Sequence, residues 1–208
     1  MAEEKQVCSG VALVAVMLVT CLTGCPQPQS ENAQNILGDP PLAQTDGIEE
    51  GQNMTWTFTS SAFEDGERLP DDYTCVGVGV SPPINLGEVP EGTVELALIC
   101  HDPDAPREGG WTHWVLYGLS PEVTELPEGI PPTETVDDPP CRQGNNTMSA
   151  IGYQGACPPP GKPHRYQFTA CALDTALTID ASPDRDALLA AMKGKIIAKS
   201  TITGTYSR

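Results

Sequence analysis

An all-β dominated domain of Greek-key sandwich type, with one short late helix and long loops, is the fold class this sequence predicts. Three observations carry that reading. Runs of strand length recur, at Val94–Cys100, Trp114–Leu119 and Tyr166–Leu173, each apolar enough to be buried. Glycine and proline are abundant, 20 and 21 residues among 208, which suits a loop-rich β domain better than a helical one. Only one stretch, after Ser182, carries apolar residues at helical spacing.

Taken in order, the chain opens on an apolar segment, Val7 to Leu22, of the length of a signal h-region and short for a membrane span. It ends in Leu22-Thr23-Gly24-Cys25, which resembles a bacterial lipobox. That resemblance implies a signal over 1–24 and lipidation of Cys25, although Glu3 and Glu4 against a single Lys5 depart from the usual positive start. Residues 25–53 are rich in Gln, Pro, Asn, Asp and Glu without periodicity, and read as a disordered tether. The folded domain is expected over 54–208, outside the cytoplasm and tied to a membrane by its lipid.

Within that domain, Thr55–Ser60 alternates polar with aromatic residues and predicts a half-buried strand. Glu64–Asp72 is turn-like, Tyr73–Val76 reads as a short strand, and Gly77–Pro83 as a loop. Val94–Cys100 is the central strand, ended by His101-Asp102-Pro103-Asp104-Ala105-Pro106, because proline lacks the N–H a sheet needs. Ser120–Pro140 is acidic and proline-rich and predicts a long surface excursion. Ser182 supplies an expected N-cap with Pro183 in the first turn; Leu188, Leu189, Met192 and Ile196 follow at helical spacing, and Gly194 marks the stop. Ile196–Tyr206 returns to strand-like alternation.

The net charge of −17 repels phosphate backbones and argues against nucleic-acid binding. Beyond the signal and Cys25, five cysteines remain. Cys100 and Cys171 sit in apolar strands and read as core thiols, whereas Cys75, Cys141 and Cys157 lie near turn residues, so a disulfide is expected among those three without the pair being fixed. No Cys-x-x-Cys or zinc-ligand spacing is present, and no metal or other cofactor is implied.

Three polar clusters far apart in sequence are candidates for one pocket: Asp102 with Asp104, Trp111-Thr112-His113-Trp114, and Gly155 to Gly161 followed by His164-Arg165-Tyr166. Strand alternation pairs Trp111 with His113 and His164 with Tyr166, and sends Arg165 to the other side. Histidines and a tyrosine offer donors, an aspartate can orient a histidine and favour its protonated form, and glycines let backbone N–H groups come close to a ligand. Such a set suits a small anion such as a phosphate ester. His101 reads as structural.

The ordered motifs Asp102-Pro103-Asp104-Ala105-Pro106, Trp111-x-His113-Trp114, and Gly152-Tyr153-x-Gly155-x-Cys157-Pro158-Pro159-x-Gly161 with His164-Arg165-Tyr166 resemble the phosphatidylethanolamine-binding protein family, in its bacterial Raf-kinase-inhibitor-like branch. The resemblance runs from about Thr55 to the C-terminus. It implies a β-sandwich with a small pocket for phosphate, acetate or phosphoethanolamine-like groups, mapped to Asp102, Trp111, His113, Gly155, Pro158, His164 and Tyr166. His113, His164 and Tyr166 would donate to the anion, and Trp111 would wall the site. It also implies a cis proline, placed at Asp102–Pro103. Gly194-Lys195 stands where the branch commonly has Gly-His, and the Ser120–Pro140 excursion is a second departure, at the pocket rim. The leading expectation is a tethered binding module for an anionic or phosphorylated ligand. An inhibitor of a protein partner, such as an exported protease, comes second. A hydrolase comes third, since no Gly-x-Ser-x-Gly nucleophile motif is present.

Overall fold

The computed structural model describes residues 56–208. The signal at 1–24, Cys25 and the tether at 25–53 lie outside the described residues. Among the described residues, eight strands and one α-helix follow in order: β1 (Ile84–Asn85), β2 (Glu95–Asp102), β3 (Trp111–Leu119), β4 (Glu125–Leu126), β5 (Thr135–Asp137), β6 (Pro140–Gln143), β7 (His164–Leu173), α1 (Arg185–Met192) and β8 (Ile196–Tyr206). Six strands form one antiparallel sheet in the order β5-β6-β3-β2-β7-β8, and β1 pairs with β4 in a second, small sheet. The segment β6-β3-β2-β7 is a Greek key: three strands run in succession and the fourth returns beside the first.

β2 is buried from end to end, because both of its faces are covered. Leu96, Leu98 and Cys100 enter the larger core with Trp114, Leu116, Tyr166 and Phe168, which the small sheet closes through Ile84 and Leu126. Ala97 and Ile99 enter a second core with Val115, Tyr117, Leu173, Leu188 and Met192, where α1 packs. Each fully buried Leu or Phe in these layers contributes on the order of 2 kcal/mol.

Several local expectations shift. Trp56 and Phe58 are buried around an exposed Thr57, so the alternation is right, but only Thr59 makes a bridge, to Asn85; one bridge is no strand. Tyr73–Val76 is not a strand either: Asp71–Tyr73 forms a 3-10 turn and Thr74 a lone bridge to Ala156. The Ser120–Pro140 excursion contains β4 and β5 and sends Leu126, Ile130 and Val136 into the core, three apolar residues too widely spaced to show a period. Helix α1 begins later than expected. Its N-cap is Asp184, whose side chain accepts from the Ala187 N–H, while Ser182 sits at φ 54° outside the helix. Gly194 follows the helix at φ +75°, a conformation glycine adopts without steric cost.

The cis peptide among the described residues is Asp138–Pro139, not Asp102–Pro103. After Asp102 the chain turns instead through its own side chain, Oδ1 accepting the Asp104 N–H at 2.8 Å. The disulfide joins Cys75 to Cys157, and Cys100, Cys141 and Cys171 are buried thiols. Cys141 lies within β6, where burial pushes its thiol up to about 11.

Candidate functional site

The antiparallel order β3-β2-β7 brings the end of β2 and the starts of β3 and β7 to one end of the sheet. That juxtaposition assembles Asp102, His113, His164 and Tyr166 from three segments, all buried. Alternation along β7 turns His164 and Tyr166 inward and Arg165 outward, as its burial pattern shows. Alternation along β3 is interrupted. From Trp114 to Thr112 that strand advances two residues while β2 advances one, from Cys100 to His101, so His113 is the extra residue of a β-bulge. The bulge lets His113 share a face with Trp114: His113 packs edge-on against Tyr166 with ring centroids 5.1 Å apart, and Trp114 packs edge-on against Tyr153. Thr112 points the other way and meets His101 Nδ1 at 3.2 Å, which gives His101 its structural place.

Hydrogen bonds fix each group. His164 Nδ1 lies 2.8 Å from Asp102 Oδ2, and the other carboxylate oxygen accepts the Asp104 amide, so Asp102 orients its histidine as expected. His113 Nδ1 donates to the Gln154 carbonyl at 2.8 Å, and the Gln154 N–H returns a bond to the His113 carbonyl. Burial holds His113 down at about 4, against the pull of that carbonyl and of Asp102. Burial therefore favours the neutral ring for His113 near pH 7. The Tyr166 hydroxyl is wholly buried and makes no hydrogen bond of ordinary geometry; burial pushes its titration far above the usual phenol range, with Asp102 adding to it and the neighbouring Cys157 amide opposing.

The remaining predicted residues stand around this cluster. Trp111 is half-buried, donates its indole N–H to Gln154 Oε1 at 2.9 Å, and carries Arg107 over its ring. Gly155 is small for a reason of packing. A Cβ there would lie 2.9 Å from the Thr74 carbonyl carbon and 3.2 Å from Gly79 Cα, so the glycine admits the neighbouring loop. Pro158 is buried, and its carbonyl accepts from Arg208 Nε at 2.7 Å. The Cys75–Cys157 bridge ties this 155–158 wall to the loop beyond Thr74.

Three features were missed in the sequence. Gln154 holds both Trp111 and His113, but it does so largely through a backbone carbonyl, which no residue type announces. Arg165 grips Asp104 with Nε and Nη2 at 2.8 and 2.7 Å and with its own amide at 2.9 Å; this pair holds the Asp104 carboxyl below its usual range and withdraws it from the cluster. Arg208 is the third. Among the described residues, no group of three or more His, Cys, Asp or Glu is arranged to hold a metal.

Comparison with known proteins agrees with this frame. The family described as phosphatidylethanolamine-binding protein matches residues 59–207. A UPF0098 protein of Chlamydia trachomatis is 44% identical over 155 residues, 73% of this chain and 98% of its own length. A UPF0098 protein of Archaeoglobus fulgidus is 45% identical over 160 residues, 76% of this chain but only 54% of its own, so the match spans about half of that relative. Among solved structures, a phosphatidylethanolamine-binding protein homologue from Chlamydia trachomatis superposes with a TM-score of 0.67 at 43% identity, covering 73% of this chain and 97% of that one. YbcL of Escherichia coli, described as a new member of the mammalian PEBP family, superposes at 0.66 with 33% identity, covering 74% and 98%. A Greek-key sheet carrying a buried Asp–His–His–Tyr cluster at one end thus defines a binding-protein fold. The chain belongs to the phosphatidylethanolamine-binding protein family.

Proposed function

We propose that this protein is a binding protein whose pocket, built by Asp102, His113, His164 and Tyr166 and walled by Trp111, Gly155 and Pro158, captures a small anion or phosphate ester. The observation that carries the reading is the wholly buried Tyr166 hydroxyl with no hydrogen bond of its own, beside two ordered imidazoles. A buried polar group without a partner costs roughly 1–3 kcal/mol, which a ligand oxygen at that position recovers. Lipidation at Cys25 would tether the domain outside the cytoplasm, where its acidic surface would leave the pocket as the site for an anion.

Calorimetric titration with methyl phosphate tests the reading. His164→Ala should weaken binding by tenfold or more, and Tyr166→Phe by about tenfold, the usual worth of one hydrogen bond to a charged group. Tyr166→Phe removes an unpartnered hydroxyl, so its thermal stability should match or exceed that of the parent. Unchanged affinity in both folded variants would remove the cluster from ligand binding.

A further inference from the structure

Among the described residues four large apolar side chains are exposed: Val76, Val78, Val94 and Met148. Val94 precedes β2 at one end of the sheet; the other three stand at the opposite end, where β2 stops and β3 and β7 begin. Met148 is placed there by its neighbour Thr147, whose N–H donates to the Thr112 carbonyl in β3. Val76 and Val78 are placed there by Cys75, whose N–H donates to the Ala156 carbonyl and whose sulfur is bonded to Cys157. That bridge sets the two valines, 57% and 76% exposed, beside the exposed Pro159 and Pro160. Two loops thus form one apolar ridge.

The valines are held out in water by the loop that bears them. The Asp72 carbonyl accepts the Gly79 and Val80 amides at 2.8 and 3.2 Å, and the Thr74 carbonyl accepts the Gly77 amide at 3.3 Å. A Cβ on Gly77 would overlap the Asp71 carbonyl, so the turn is closed upon itself. A loop so tied cannot fold its apolar side chains inward, and a fixed apolar patch of this kind marks a contact surface.

Charge on the ridge departs from that of the protein. The chain has 28 acidic against 11 basic residues, yet here Asp71 is paired with Arg68 and Asp104 with Arg165. Lys162 follows the prolines, and Arg208 is fastened alongside, its Nε donating to the Pro158 carbonyl and its own carbonyl accepting the Gly161 N–H. Both cations are exposed, and neither makes an ion pair with a carboxylate of the described residues. The ridge segments, 75–80 and 157–163, contain no aromatic residue, the usual anchor of a protein interface. Aliphatic tips beside uncommitted cations match a phospholipid surface instead, acyl chains taking the former and phosphates the latter.

We propose that this end of the domain is a membrane-contact surface, on which Val76 and Val78 enter the interface of a phospholipid bilayer while Lys162 and Arg208 meet its phosphates. The inference goes beyond the pocket reading and does not depend on it, because no side chain of the Asp102, His113, His164 and Tyr166 cluster takes part.

Hydrogen exchange of the full chain, read by mass spectrometry with and without vesicles of phosphatidylcholine and phosphatidylglycerol, tests this. Exchange in the segments around Val76–Val78 and Gly161–Lys162 should slow by roughly threefold or more on vesicles, with Val94 and its neighbours unchanged. The double variant Val76→Ser with Val78→Ser should lose that slowing at an unaltered thermal midpoint, and Lys162→Glu should reduce it. His164→Ala should keep it, which separates this surface from the pocket. Absence of slowing in the two loops, whether or not the chain sediments with the vesicles, overturns the proposal. Slowing that persists in the double serine variant overturns it as well. So does slowing that needs no vesicles and grows with protein concentration, which would assign the ridge to a second copy of the chain.

Discussion

His113 is held at about 4 by burial, whereas an unfolded chain returns it to solvent, where histidine titrates near 6.5. The folded state therefore binds fewer protons than the unfolded state between those two values. Stability from this ring is fully present above about pH 6.5 and is lost as pH falls toward about 4, by up to about 3 kcal/mol at 1.36 kcal/mol per unit. Asp104 acts in the same sense, since its lowered carboxyl loses its pairing with Arg165 only as pH falls through its folded value. Urea denaturation of the wild type and of His113→Gln at pH near 7 and near 4.5 isolates the histidine. The variant should lose clearly less stability than the wild type between the two; parallel losses would mean that His113 is not the neutral, sealed ring described here.

Helix α1 covers the face formed by Ala97, Ile99, Val115 and Tyr117 with Leu188 and Met192, and its start depends on one side chain. Asp184→Ala removes the acceptor for the Ala187 N–H and should cost about 1 kcal/mol, read as a shift in the denaturation midpoint; Asp184→Asn should restore most of it. The helix, β2, β3, β7 and β8 were all legible because each carries a run or a period of its own. The cap was misread because Ser182-Pro183 satisfies the local rule as well as Asp184 does, and only the turn at Ser182 chooses between them. The segments around Thr57 and Tyr73 failed for another reason. Their residues fit strands, yet a strand needs a partner edge, and pairing is a property of distant chain. The same holds for Leu126, Ile130 and Val136, whose burial is set by what covers the sheet.

At the scale of the whole molecule, one covalent link joins the far halves of the chain. The Cys75–Cys157 bridge closes a loop with a sequence separation of 82 and fastens the 155–158 wall beside Tyr166. In the chain-entropy account a loop of this length contributes roughly 4 kcal/mol. Reduction, or the double variant Cys75→Ser with Cys157→Ser, should lower stability by that order and weaken methyl phosphate binding as the wall loosens. A loss of stability with affinity unchanged would make the bridge a staple of the fold alone. The cluster was legible in outline because its three motifs are compact and lie at strand ends. Its chemistry was not: the protonation of His113 is decided by the Gln154 carbonyl and by burial, neither of which has a letter in the sequence.

The extra residue at His113 gives β3 two parities. From Trp111 to His113 the odd positions face the cluster, and from Trp114 to Leu116 the even positions face the larger core. A change of phase in the middle of a strand uncouples its two ends. The side chains that fill the sandwich can vary under the demands of packing without rotating the imidazole out of line. Conversely, deleting His113, the one residue between Thr112 and Trp114, would restore plain alternation along β3, keeping the core in phase and Thr112 on its present side. A single deletion, harmless to the apolar contacts behind it, would take the imidazole out of the cluster and leave no side chain in its place.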